Sequence, residues 1–234
     1  MLRSYALVTA YIFFVLLANH HASADIILGY DLQGANGTIA FIAPNSTASQ
    51  VSGLNLTRGA GLNASTGGVN GTNAFSATGW DSLTSTDYIS FGFQVNPGFQ
   101  ATLNSVQFRV SAQSGGPANL GLFTSQDNFT TAVSTFDPSI SVASITLSTN
   151  AVQPTTGQLE LRIYALNSVG IGGGSTSPSS SVAFGNYTSG RNIELFQVNG
   201  TITAVPEPST LVLIIAGTSI MLACRTWPRR TFRI

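Results

Sequence analysis

The run Ile89-Ser90-Phe91-Gly92-Phe93-Gln94-Val95 decides the fold class. Its strict alternation is the period of a half-buried strand, with Ile89, Phe91, Phe93 and Val95 on one face and Ser90, Gly92 and Gln94 on the other. Asn96-Pro97-Gly98 follows as a turn signal, because proline presets φ and glycine accepts the left-handed region. Beyond it, Leu103 and then Val106, Phe108 and Val110 predict a second strand with a one-residue irregularity near Ser105. The two runs predict an antiparallel pair.

Working outward, Leu159, Leu161, Ile163 and Ala165 alternate against Glu160, Arg162 and Tyr164. Residues 26–32, 141–147 and 192–198 are further strand candidates. No segment between them sustains apolar residues at helical spacing, and Gly, Pro, Asn and Ser clusters separate the runs. The expectation is an all-β domain, an antiparallel β-sandwich of jelly-roll type. A β-solenoid is the rival, but it requires a fixed repeat that this sequence lacks. Asn63 to Asn73 and Gly170 to Ser181 read as mobile surface loops. The second has neither the Gly-x-Gly-x-x-Gly spacing nor the lysine of a phosphate loop.

Composition supports an extracellular β protein: in 234 residues only 8% are charged and lysine is absent. Between Asp25 and Val205, four arginines face eight carboxylates, a net charge of −4 with no basic footprint for nucleic acid. Cys224 is the one cysteine, so the body cannot hold a disulfide.

The two ends read as processing segments. Residues 1–24 combine Arg3, an apolar stretch and Ala22-Ser23-Ala24, the small-x-small pattern of a signal-peptidase site, which predicts cleavage after Ala24. At the other end come Pro206, Glu207 and Pro208, then the 13-residue apolar run Leu211 to Ala223, then Arg225, Arg229, Arg230 and Arg233. The prolines prevent a regular helix or strand. As a helix the apolar run would cover about 20 Å, which suits a temporary hold in the bilayer, and the arginines keep the far end cytoplasmic. The predicted organisation is thus a signal peptide (1–24), a β-sandwich passenger (25–203) and a sorting tail with a single transmembrane helix (204–234).

The tail VPEPSTLVLIIAG with its basic end resembles the PEP-CTERM sorting signal of exported bacterial proteins. That resemblance implies processing by signal peptidase and then by a membrane-embedded exosortase cutting near Pro206 to Pro208. It further implies delivery from the membrane to the cell surface or extracellular matrix, often beside exopolysaccharide. Cys224 is not part of the core Pro-Glu-Pro motif and reads as a small membrane-edge residue, with acylation as the alternative. In order, LTRGAGLN (56–63), Gly79-Trp80, DYISFGFQVNPGF (87–99), LRIYAL (161–166) and LFQVNG (195–200) resemble a passenger domain common among PEP-CTERM proteins. That family has no settled activity. Within it, LTRGAG reads as a turn with Arg58 exposed or paired to a carboxylate, the rival being a binding role.

The inventory for chemistry is short. His20 and His21 fall in the predicted signal peptide, so the body lacks histidine, lysine and cysteine. Ser-His-Asp and Cys-His systems, Ser-Lys dyads and zinc or copper sites each lose an essential member. Carboxylate chemistry remains, from Asp25, Asp31, Asp81, Asp87, Asp127, Asp137, Glu160 and Glu194, but no pair has a diagnostic spacing. No cofactor is implied, and a structural calcium ion has no loop motif to support it. Asp81, Asp87 and Asp127 read as turn and cap residues. Trp80, Tyr88, Tyr164 and Tyr187 are the side chains that could stack on sugar rings, although most of them read as core or strand-pair residues; Trp80 is the candidate ligand contact, with core packing the preferred reading because large aromatics dominate cores. Eight Asn-x-Ser/Thr triplets read as compositional. The sequence therefore points to a non-enzymatic surface or matrix protein with exopolysaccharide as its contact. A carboxylate-based glycan hydrolase and a purely structural matrix protein are the alternatives.

Overall fold

In the computed structural model, residues 25–66, 73–81, 83–185 and 196–205 are described. They belong to the unit Met1–Thr203, apart from 204 and 205, which fall in a second unit, Ala204–Ile234. Regular structure is almost all strand. The first half holds β1 (Asp25–Tyr30), β2 (Asn36–Gly37), β3 (Phe41–Ile42), β4 (Ser46–Thr47), β5 (Val51–Arg58), β6 (Asn63–Ala64), β7 (Ala74–Thr78) and β8 (Tyr88–Val95). The second holds β9 (Phe99–Ala112), β10 (Leu120–Thr124), β11 (Ser134–Phe136), β12 (Ala143–Ser148), β13 (Gln158–Ala165), β14 (Val182–Gly185) and β15 (Phe196–Ala204). Ser125–Asp127 forms one turn of 3-10 helix.

Two sheets result. One runs β2-β7-β14-β9-β15-β1-β4, with β12 also on β9 and β6 on β7; the other runs β11-β10-β13-β8-β5-β3. Among the described registers the pairing is antiparallel apart from the short parallel contact of β2 with β7. The inward positions predicted for residues 89–95 and 159–163 are buried as read. In β9 the inward series Ala101, Leu103 is followed by Val106, Phe108, Val110, so the phase slips at Asn104-Ser105 as the sequence implied.

The sheets pack face to face through aromatic side chains. Phe196 on β15 contacts Phe91 across the sandwich (centroids 4.8 Å apart) and Tyr30, Phe108 and Phe184 within its own sheet. Phe108 in turn meets Phe136 of the other sheet at 5.1 Å. Edge-to-face contacts of this kind add to the area that each ring removes from water.

One pairing predicted from sequence is corrected. β8 and β9 are consecutive but lie in different sheets. The turn between them forms as expected, with Phe99 N–H donating to the Asn96 carbonyl at 3.2 Å and Gly98 at φ +83°. Both edges of β8 are already occupied, by β5 and by β13, so the chain leaving the turn must cross to the facing sheet. From β5 to β14 the strands longer than three residues alternate between the sheets at every step. Local periodicity shows which face of a strand is buried but not which sheet the strand joins.

Strands β5, β7, β10 and β14 were not legible. β7 (AFSAT) and β14 (VAFG) are short and covered on both faces, so they lack alternation. β5 contains a bulge between Leu54 and Thr57 that breaks its phase. The predicted loop 170–181 is irregular, yet it is tied by backbone hydrogen bonds to the turn at 114–116: Ile171 to Gly116, Gly172 to Ser114 and Ser177 to Gly115. Of the stretch 63–73, the first two residues form β6 against β7, and 67–72 lie outside the described residues.

Candidate functional site

The outward face of the second sheet carries the densest set of chemically useful side chains. Registers place Gly121, Tyr164 and Tyr88 in one row across β10, β13 and β8, and Phe123, Arg162, Ser90 and Thr57 in the next row, which extends to β5. Tyr88 and Tyr164 pack with centroids 5.4 Å apart, and Phe123 meets Tyr164 edge-on at 5.3 Å. Beside the rings, Arg162 Nε donates to Glu160 Oε1 at 2.7 Å and Nη1 to the Tyr164 hydroxyl at 3.1 Å. Desolvation at this partly covered position would lower the arginine pKa, but the bonds to Glu160 and Tyr164 outweigh it and hold the guanidinium firmly charged.

Two rings pack on that guanidinium, Tyr88 at 4.0 Å and Phe129 at 3.9 Å from its carbon to the ring centroids. Phe129 reaches Arg162 from a sharply arched loop in which Asn128 (φ +57°) and Phe129 (φ +59°) are both left-handed. A bulky aromatic residue rarely adopts that conformation, at a cost on the order of 1–3 kcal/mol per strained residue. The arch is held by Asp127, whose carboxylate accepts from Thr131 N–H at 2.9 Å and from the Thr130 hydroxyl at 3.1 Å, and by Phe129 N–H donating to the Thr124 carbonyl. Desolvation pushes the Asp127 pKa up, but these donors outweigh it and leave it below the usual carboxylate range.

The sequence-based candidates fare differently. Tyr88 and Tyr164, separate in sequence, come together on this face. Trp80 does not: it is fully buried, and its indole N–H donates to the Ala77 carbonyl at 2.9 Å. Gly79 at φ +89° makes the turn that sends the ring inward, so the candidate ligand contact is a core residue. Phe129 and Phe123 were missed, Phe129 because SQDNF shows only a turn signal.

Arg58 is not exposed, and among the described residues no carboxylate pairs with it. It extends from the end of β5 toward the other sheet, where Nε, Nη1 and Nη2 donate to the carbonyls of Ser76 (2.8 Å), Ile39 (2.7 Å) and Gly37 (2.6 Å). Burial pulls its pKa down to about 10, so it stays charged at neutral pH.

Six of the eight carboxylates serve local structure, and Asp81 is exposed. Asp25 and Asp31 accept from nearby backbone N–H groups, Asp87 caps Thr84, Asp127 holds its arch, Asp137 accepts from Asn119 and Glu160 pairs with Arg162. Among the described residues no cluster of three or more His, Cys, Asp or Glu side chains is placed to hold a metal ion. Ala22, Ala24, Tyr187, Glu194, Pro206, Glu207, Pro208, the run 211–223, Cys224, Arg225, Arg229, Arg230 and Arg233 lie outside the described residues. Among the described residues no helix is long and apolar enough to cross a membrane.

No family model and no curated protein matches the chain significantly. Several solved structures overlap with it. A family 29 carbohydrate-binding module is similar over 81% of this chain and 98% of its own, at 13% identity and a TM-score of 0.36. A variant of such a module complexed with mannohexaose covers 78% and 94%, at 12% identity and a TM-score of 0.38. Another, complexed with cellulohexaose, covers 80% and 94%, at 14% identity and a TM-score of 0.36. Overlaps at this level assign neither a family nor a ligand to the chain.

Proposed function

We propose that this chain is an exported bacterial surface or extracellular-matrix protein that acts without catalysis and contacts polysaccharide through the outward face of its second sheet. The observation that carries the contact is the pairing of Tyr88 with Tyr164 beside a fixed guanidinium. Aromatic rings offer apolar area to the C–H faces of a sugar, and the adjoining polar groups serve its hydroxyls. Export rests on the sequence alone: Ala22 and Ala24 mark the first processing site. Pro206, Glu207 and Pro208, the apolar run and the terminal arginines mark the second.

Two measurements test the halves separately. Native affinity electrophoresis through gels containing polysaccharides should retard the protein, and Tyr88→Ala or Tyr164→Ala should weaken retardation by about tenfold in affinity, the scale of one lost aromatic contact. Equal retardation of wild type and both variants removes this face from the reading. Intact mass from a native-type host, with and without the processing enzyme, should give a species starting at Asp25 and ending near Pro206 to Pro208 only when the enzyme is present. A product keeping residues 211–234 makes the chain an ordinary anchored envelope protein.

A further inference from the structure

We infer that the site takes a neutral polysaccharide and recognises a vicinal diol of one sugar residue through Glu160 and Arg162. This rests on the glycan reading above and names its ligand class.

Charge on this face suits a neutral ligand. The cation on this face is matched at 2.7 Å by Glu160, and the outward neighbours Ser90, Thr57, Gln94 and Gln158 are neutral. The body as a whole is acidic, with four arginines against eight carboxylates from Asp25 to Val205. Among the described residues of this face a polyanion would meet no uncompensated positive charge, and the acidic body around it is repulsive.

Two rings pack within 4.0 Å of the guanidinium carbon, so the N–H edge is the part of the group suited to a ligand. Nε is used by Glu160 Oε1 and Nη1 by Tyr164, while Nη2 of Arg162 and Oε2 of Glu160 have no partner among the described residues. A donor and an acceptor thus remain on one ion pair. Adjacent sugar hydroxyls offer the complement, one donating to the carboxylate oxygen and the other accepting from the guanidinium. Side-chain exposures of 21% and 24% leave the pair reachable yet partly desolvated, where such bonds gain strength.

The test is native affinity electrophoresis of the full-length chain with glucomannan and hydroxyethylcellulose as neutral probes and alginate and hyaluronate as anionic ones, at low and high salt. The expected result is retardation by a neutral glycan, insensitive to salt, that drops about tenfold or more in affinity in Glu160→Gln, the loss of one charged hydrogen bond. Periodate treatment of the same glycan, which cleaves vicinal diols, should abolish retardation with wild-type protein; lysine is absent, so dialdehydes cannot capture the chain through side-chain amines. Retardation by alginate or hyaluronate alone, lost in high salt and strengthened by Glu160→Gln, would overturn the inference and leave the glycan reading standing. So would neutral binding that survives both Glu160→Gln and periodate but fails in Tyr88→Ala. Absence of retardation by every probe, with a folded protein by circular dichroism, would overturn the glycan reading and this inference with it.

Discussion

The guanidinium carbon of Arg58 lies 3.8 Å from the centroid of the Phe75 ring, so a side chain from the second sheet closes over an aromatic residue of the first. Its three nitrogens also satisfy carbonyls at Gly37, Ile39 and Ser76. Arg58→Met keeps the length and the apolar stem but removes all three donors. The expected cost is about 3 kcal/mol by urea denaturation. Arg58→Lys should recover only part of it, because a single ammonium cannot reproduce the planar fork. A loss below about 0.5 kcal/mol, the range of an ordinary surface substitution, would mean that solvent replaces the arginine.

Trp80 is expected to behave as a core residue. Trp80→Ala should destabilise the domain by about 3–5 kcal/mol, while any glycan affinity measured on the remaining folded protein stays unchanged. A selective loss of affinity with wild-type stability would return the indole to the binding surface.

The hydroxyl of Tyr30 on β1 crosses the core to donate to the Leu54 carbonyl at the β5 bulge, at 2.5 Å. Burial pushes its pKa well above the ordinary phenol value, with a backbone hydrogen bond from Gly92 pulling the other way, so it remains a protonated donor. Tyr30→Phe keeps the ring contact with Phe196 but removes the donor from a part-buried carbonyl, and the domain should lose about 1–3 kcal/mol. An unchanged denaturation midpoint would show that the bulge finds another donor.

The Phe129 arch should respond to acid. The pKa of Asp127 is depressed in the folded chain, so its contribution is fully present above the unfolded value of about 3.9 and is lost as pH falls through the lower folded value. From mildly acidic to neutral pH the ring should stay on Arg162; in stronger acid it should release. The side-chain Nε–H resonance of Arg162, shifted by the flanking rings, reports this, and Asp127→Asn should reproduce part of the acid spectrum at neutral pH. A resonance independent of both pH and the substitution would mean that Asp127 does not hold the arch.

Much of the fold was legible because burial leaves a periodic trace. The alternation of residues 89–95 and 159–163 identified the inward positions, and that of residues 159–165 put Tyr164 among the outward ones. Trp80 shows the limit: a large ring after glycine and before aspartate has no period to disclose its side, and the Gly79 turn decided it. Arg58 shows another, since its partners are backbone carbonyls, which every residue carries and no sequence pattern marks.

By itself the sequence determined that this is a lysine-free, disulfide-free β body whose histidines lie within the predicted signal peptide, and that serine, cysteine and zinc chemistries lack their parts. Those are matters of composition and local period, which folding does not alter. Tertiary structure alone decided that β8 and β9 part into opposite sheets, that Tyr88 meets Tyr164 through the β8–β13 register, and that Phe129 closes on Arg162. Each depends on which strand edges remain open and on how a short loop arches, and both are settled only when the whole chain packs.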